Sequence, residues 1–209
     1  MHFGHNPFLI VISSPSGAGK STLCKMIVQN DQKTKLSIST TTRKKRPQEV
    51  EAQDYFFISQ DQHQNLVNSG KFLEHARIFN NFYGTPQENV QKELDNGNDV
   101  LFDIDWQGAR QILQKFTRDN VLTIFILPPS IKILHERLRN RAQDSEEVVI
   151  ARMQEAKTEV SHYSEYDFIL VNENLDETYQ KIKAIINCHR IKRAKSKHIE
   201  LFVSNLLKD

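Results

Sequence analysis

The chain has 209 residues, 38% of them hydrophobic and 26% charged, enough for one compact domain carrying a small insert. That composition excludes a collagenous, membrane-spanning or largely disordered protein. Lys and Arg total 28 against 26 Asp and Glu, so the net charge of +2 offers no general polyanion-binding surface and any basic site is local. The two cysteines, Cys24 and Cys188, lie far apart and form no CxxC pair, which points to a reducing, cytoplasmic setting.

The first apolar run, Phe8–Ile12, is five residues long before Ser13, too short for a signal-peptide core or a membrane span. It reads as a strand through Ser13, followed by a glycine-containing turn and a helix over about Lys20–Asn30. A strand at Leu36–Ser39 leads into a basic loop, Thr40–Glu51. Tyr55–Ile58 reads as a short strand, Gln60–Asn68 as a helix stopped by Gly70, and Phe72–Ile78 as another strand, so this middle stretch looks like an insert with its own small sheet. A helix runs from Pro86 to Gly97. Val100–Ile104 and Leu122–Leu127 are almost wholly apolar, the pattern of strands buried on both faces. Pro128-Pro129-Ser130 introduces a further helix. Val149, Met153, Ala156 and Val160 step by 4, 3 and 4, as do Leu175, Tyr179, Ile182 and Ile186, which predicts two amphipathic helices flanking a strand at Phe168–Val171. The alternation implies an α/β fold with a mainly parallel sheet.

Between the first strand and helix lies Ser14-Pro15-Ser16-Gly17-Ala18-Gly19-Lys20-Ser21. Phosphate binding needs inward backbone N–H groups, close approach without side chains, a lysine for the terminal phosphates and a hydroxyl for Mg²⁺. Gly17, Gly19, Lys20 and Ser21 supply those parts, and the P-loop pattern is met at seven of eight positions, with Ser14 where glycine usually opens it. Ser14 is harmless if it keeps a negative φ. A P-loop specifies only a nucleoside triphosphate, so the second substrate has to be read elsewhere.

Ser39-Thr40-Thr41-Thr42-Arg43-Lys44-Lys45-Arg46-Pro47 packs hydroxyls and four cations into nine residues. Alone, it reads as a solvated basic loop. It is joined by Asp54-Tyr55-Phe56-Phe57, Phe72-Leu73-Glu74, Asn81-Phe82-Tyr83-Gly84-Thr85 and Asp103-Ile104-Asp105-Trp106-Gln107-Gly108. With these motifs in this order, the chain resembles the bacterial guanylate kinases over roughly Pro7 to Ile186.

The resemblance implies a P-loop nucleoside monophosphate kinase fold over 7–186. Its parallel-sheet core would span 7–38 and 98–186, a mixed-sheet GMP-binding insert about 39–97, and a helical lid about 137–152, with a C-terminal helical extension at 187–209. It implies phosphorylation of GMP, and of dGMP, to the diphosphate by ATP with Mg²⁺, in purine nucleotide recycling. A homodimer is allowed for, and neither a nucleic acid nor a membrane partner is expected. The chemistry agrees with the residue types. The second pKa of a phosphomonoester is about 6, so the acceptor is already dianionic and nucleophilic and needs no general base. What remains is bringing two polyanions together, which calls for positioning and cations. Arginines, rather than any of the eight histidines, are the expected actors.

By resemblance, Lys20, Arg43, Arg137, Arg141 and Arg152 supply catalytic charge. ATP would contact Ser14, Pro15, Ser16, Gly17, Ala18, Gly19, Lys20, Ser21 and Thr22, with Arg141 and Asn172 near the adenine and Ser21 on Mg²⁺, partly through water. The acceptor phosphate falls to Ser39, Arg43, Arg46, Tyr55 and Tyr83, with Glu49 also in the GMP site. Guanine falls to Glu74 and Thr85, with Asp103 and Asp105 nearby. A carboxylate accepts from the guanine ring N–H and amine, whereas adenine presents the opposite polarity at its six position. The chain departs from the family pattern at Lys45, Gln48, Glu51-Ala52-Gln53, His75 and Ala142, which bears on loop stiffness more than on reaction type.

A C-terminal helix is expected to carry Lys181, Lys183, Arg190, Lys192, Arg193, Lys195 and Lys197 on a solvated basic face. Two other functions fit parts of the pattern. A phosphopartner-binding module on this fold would lack the P-loop lysine and lid arginines. A kinase for another monophosphate would lack the Glu74 and Thr85 pair.

Overall fold

The computed structural model describes residues 4–78, 80–139, 146–192, 195–196 and 198–208. The chain opens with β1 (Leu9–Ser13), α1 (Lys20–Asn30) and β2 (Thr34–Leu36). Next come β3 (Thr40–Thr41), β4 (Phe56–Phe57), α2 (Gln60–Asn68), β5 (Phe72–Ile78) and β6 (Asn81–Pro86). They are followed by α3 (Gln87–Asp95), β7 (Asp99–Asp103), α4 (Trp106–Lys115) and β8 (Val121–Leu127). The last elements are α5 (Ile131–Arg139), α6 (Glu146–Ser161), β9 (Phe168–Val171), α7 (Leu175–Arg190) and α8 (Ile199–Leu206).

Two sheets result. Five parallel strands lie in the order β2-β7-β1-β8-β9, and four shorter strands form a mixed sheet in the order β4-β3-β6-β5. The central strands of the first sheet are apolar on both faces, as their composition predicts. Ile10, Ile12, Leu101, Leu122, Ile124 and Ile126 pack with Leu23 and Ile27 of α1 and Tyr179, Ile182 and Ile186 of α7. The alternate residues Leu9, Val11, Val100, Phe102, Val121 and Phe125 pack with Val90 of α3 and Ala109 and Ile112 of α4. The period of two along each strand thus separates two cores across one sheet.

Several elements differ from the sequence reading. The strand expected at Leu36–Ser39 is Thr34–Leu36, because beyond Leu36 the chain leaves the sheet after one last bond from the Ser37 amide to the Leu101 carbonyl, 2.8 Å. The stretch read as a basic loop contains β3, two residues paired with both β4 and β6. Strand β6 was not read at all: Asn81, Gly84 and Pro86 are turn formers, and only the antiparallel ladder to β5 makes them a strand. Helix α4 was also missed; it starts where the Asp105 carboxylate accepts from the Gly108 amide at 3.0 Å. The α2 reading holds, set by a reciprocal capping box between Ser59 and Gln62.

The C-terminal basic stretch is not one solvated helix. Helix α7 ends at Arg190, whose guanidinium turns inward to Asp99 and Asp31, each 2.7 Å away, and donates to the Thr34 hydroxyl at 3.0 Å. Lys195 is buried and donates to the Asn120 side-chain oxygen at 2.6 Å, while its carbonyl accepts from the Asn6 amide at 2.7 Å. Asp99 is fully buried and also accepts from the Phe8 amide at 3.3 Å and pairs with His5 at 2.8 Å. One carboxylate therefore ties both ends of the chain to the start of β7. Replacing it leaves a buried guanidinium short of a partner. Asp99→Ala is expected to lower stability by about 3 kcal/mol, read from the urea midpoint, with Asp99→Asn losing less because it keeps an acceptor.

Candidate active site

The loop from Ser14 to Ser21 joins β1 to α1 at the carboxyl end of the parallel sheet, where strand order reverses on either side of β1 and ligands bind in such folds. Gly17 and Gly19 hold φ of +93° and +100°, whereas Ser14 stays out of the left-handed region, so its departure from glycine costs no backbone strain. A Cβ on Gly19 would stand 2.4 Å from the Asn172 amide nitrogen. That nitrogen donates to the Ala18 carbonyl at 2.7 Å, and Asn172 is buried at the end of β9. The structure thus places Asn172 directly under the loop. Arg137 of α5 reaches the same place, within 3.5 Å of the Ala18 carbonyl and 3.3 Å of the Asn172 carbonyl.

Lys20 forms an ion pair with Asp103 at the end of β7 and donates to the Ile104 carbonyl at 3.2 Å. Burial disfavours its charge, but the adjoining carboxylate more than offsets this and the ammonium is held above its ordinary pKa. Ser21 and Thr22 are exposed on the first turn of α1. Burial pushes the Cys24 thiol well up, which makes it a packing residue rather than a nucleophile. Glu159 of α6 was not anticipated: its carboxylate accepts from the Ser16 amide at 3.1 Å. Burial pushes its pKa up to about 7. Nothing in the sequence separated this glutamate from its neighbours on an amphipathic helix.

The mixed sheet carries the remaining groups. Arg43 grips Glu49 with both guanidinium nitrogens, at 3.0 and 2.6 Å, and lies over the Tyr55 ring at 5.5 Å. This fork geometry is also the one arginine uses on phosphate. The Arg46 amide donates to the same Glu49 carboxylate at 2.8 Å, and the Arg46 guanidinium lies 3.9 Å from it. Tyr55 and Tyr83 meet edge to face with centroids 5.9 Å apart. Burial, with Asp103 beside it, pushes the Tyr55 hydroxyl up to about 12, so it stays a neutral donor.

Glu74 on β5 sits opposite Thr85 on β6, and the threonine hydroxyl donates to its carboxylate at 2.5 Å. The Ser39 hydroxyl lies 3.1 Å from that of Thr85. The sequence placed these three residues 46 positions apart at the extremes, and the two short ladders bring them into one row. Glu74 is 3% exposed. Burial pushes its pKa up to about 7, opposed by the Thr85 hydrogen bond, reinforced by Asp105 and opposed again by Lys115. A Cβ on Gly108 would lie 2.6 Å from its carboxylate, so the first turn of α4 closes that wall only because it carries a glycine. Asp105 is engaged as the N-cap of α4 and accepts from the Gln107 side chain at 2.9 Å.

Arg152 is half-buried on α6, which packs on α5 through Leu134, Leu138, Val149 and Ala156. Arg141 and Ala142 lie outside the described residues. Among the described residues no three His, Cys, Asp or Glu side chains converge to hold a metal by themselves. The hard oxygen donors beside the loop, Ser21 and Asp103, suit Mg²⁺ that arrives on phosphates.

The raised pKa of Glu74 has a cost for the protein without substrate. The unfolded carboxyl ionises near its ordinary 4.5 and the folded one near 7, so stability falls as pH rises through that window. Glu74→Gln is therefore expected to unfold at higher temperature than the parent at pH 8, by up to about 3 kcal/mol, with the gap closing below pH ~4.5. Thermal melts of both proteins across that range check it.

The guanylate kinase family profile matches residues 6–189. The guanylate kinase of Cereibacter sphaeroides is 48% identical over 198 residues, covering 95% of this chain and 94% of that protein. That of Rickettsia prowazekii is 51% identical over 192 residues, covering 92% of this chain and 96% of its own. The crystal structure of guanylate kinase from Anaplasma phagocytophilum superposes with a TM-score of 0.81 at 32% identity, over 97% of this chain and 96% of the other. With the family profile spanning nearly the whole chain and relatives about half identical over more than nine-tenths of it, the chain belongs to the guanylate kinase family.

Proposed function

We propose that this enzyme transfers the γ-phosphoryl group of ATP to the phosphate of GMP, and also of dGMP, as a step of purine nucleotide recycling in the cytoplasm. The observation that carries the reading is the Glu74–Thr85–Ser39 row, a buried carboxylate acceptor with hydroxyls alongside it. Such a row matches the donors and the acceptor on the Watson–Crick edge of guanine and opposes those of adenine. A site of this type rejects the wrong base by leaving its own buried groups unpaired, an effect of about 10⁴-fold elsewhere.

In this reading the loop amides from Ser16 to Ser21 cradle the ATP phosphates, and Lys20 exchanges Asp103 for the terminal phosphates. Arg43 and Arg46 turn from Glu49 to the acceptor phosphate, with Tyr55 and Tyr83 as neutral donors, while Ser39, expected at the phosphate, stands with Thr85 in the base row. Arg137, Arg141 and Arg152 close the charge balance from the lid side, and Asn172 keeps the loop in shape beneath the nucleotide. Ser21 would hold Mg²⁺, which would supply charge neutralisation for the transferred group. The acceptor dianion attacks in line without a base, so the residues act by position and electrostatics. Glu74 must be ionised to accept from guanine.

The direct test measures ADP formation with ATP and Mg²⁺ against GMP, dGMP, AMP, CMP, UMP and dTMP. Turnover confined to GMP and dGMP is expected; turnover with another base overturns the guanine reading, and bound GMP without turnover identifies a binding module. Glu74→Ala is expected to lose GMP selectivity and efficiency while KM for ATP holds, and Arg152→Ala to lose kcat by 10- to 1,000-fold, roughly the scale of a removed charge-stabilising group. A normal kcat in Arg152→Ala would remove that arginine from the mechanism.

A further inference from the structure

Helix α4 does more than fill the space between the sheets. Strand β5 is an edge of the mixed sheet, so the backbone groups on its outer side have no neighbouring strand. They are met by side chains of α4 instead. The Gln111 amide donates to the His75 carbonyl at 2.7 Å, and its oxygen accepts from the His75 amide at 3.1 Å, imitating both halves of a strand partner. The Lys115 ammonium donates to the Phe72 carbonyl at 3.2 Å and to the Leu73 carbonyl at 2.5 Å. These bonds bracket Glu74 from both sides.

The bracketed segment is irregular. Pairing with β6 runs Phe72 to Pro86 and then Glu74 to Thr85, so Leu73 is an extra residue in a β-bulge. Where a regular strand alternates, Phe72, Leu73 and Glu74 are all buried. Phe72 packs on His63 within the insert, with ring centroids 4.9 Å apart, Leu73 joins the core beneath the parallel sheet, and Glu74 meets Thr85 and the first turn of α4. The bulge lets one strand serve the insert, the core and the site at once. Its carbonyls are the ones Lys115 holds. Gly108, Gln111 and Lys115 are spaced 3 and 4 apart, a single stripe down α4, with the glycine leaving room for the carboxylate that the other two hold in place.

We propose that Lys115 and Gln111 are positioning residues for base recognition: by clamping the backbone around the Leu73 bulge they fix the aim of the Glu74 carboxylate. The proposal rests on the assignment of Glu74 to guanine. The charged groups that act on Glu74 are Asp105, ahead of α4, and Lys115, on it, while β6 contributes the uncharged Thr85 hydroxyl. Lys115 is thus the cation that opposes burial and Asp105 at this carboxyl.

The test uses the full-length enzyme with Lys115→Met, Lys115→Arg, Gln111→Leu and Glu74→Gln, assayed with GMP and with IMP, which lacks the 2-amino donor. Lys115→Met and Gln111→Leu are each expected to raise KM for GMP roughly tenfold, the scale of one or two lost hydrogen bonds, with kcat and KM for ATP within about twofold of the parent. The preference for GMP over IMP shrinks in both. In Lys115→Met the acid side of the 1/KM profile for GMP moves to higher pH; in Gln111→Leu it stays, and Lys115→Arg restores most of the parent behaviour. Parallel losses in kcat and in KM for ATP, or an unmoved GMP to IMP ratio in both clamp variants while Glu74→Gln abolishes it, overturn the clamp and leave the guanine reading intact. An unmoved ratio in Glu74→Gln itself overturns the guanine reading and the clamp with it. Should Lys115→Met fail to fold, Gln111→Leu and the Lys115→Arg rescue still decide.

Discussion

Asp103 ends β7 and Lys20 opens α1 just past the loop that follows β1, and their ion pair depends on β1 and β7 running side by side in parallel and stopping at the same edge of the sheet. That constraint sets the rest. It fixes where the glycine turn opens and which residues follow β7. It also brings the mixed sheet, with Tyr55 against Asp103, into contact with the phosphate loop. The two strands are held in register by alternating apolar residues on both faces, so the site's precision is inherited from the core.

The site runs against stability. Glu74 and Glu159 are both carboxyls driven up to about 7 by burial, and each is kept because it meets a specific partner, a threonine hydroxyl or a loop amide. Glycines at 17, 19 and 108 are required by space or backbone angle at the points where the chain passes closest to those groups. Stability is recovered elsewhere, in the two cores and in the Asp99 knot that binds Phe8, His5 and Arg190 at the base of the sheet. A protein with such a division has its strained and polar groups at one end of the strands and its ties at the other.

Helix α4 joins the two halves. It starts at Asp105, two residues past the partner of Lys20, and runs along the outer edge of β5, so one rigid rod passes from the phosphate side to the Glu74 side. The geometry explains why Gly108 stands within a helix that would otherwise favour alanine.

Much of this was legible in the residues. The P-loop, the apolar strands β1, β7 and β8, the span of α2 with its Gly70 stop and the span of β5 follow from local rules: glycine angles, period-two burial, helix stops. The motifs holding Glu74, Thr85, Arg43 and Tyr83 could be singled out too. What no local rule could reach was β6, whose residues are turn formers until the ladder to β5 engages them, whereas α4 had a readable start in the Asp105 cap and helix-forming residues behind it. The inward turn of Arg190 and Lys195 belongs to the same class, since a cation run looks solvated unless a buried acceptor far away in sequence claims it. So does the position of Asn172 and Glu159 beneath and beside the phosphate loop, more than 140 residues from the backbone groups they bind. Local chemistry determined which groups this protein brings to a phosphate and a base, because those choices depend on a residue and its near neighbours. Tertiary structure decided which of them are aimed, desolvated and shifted in pKa, because burial and register are properties of the whole assembly.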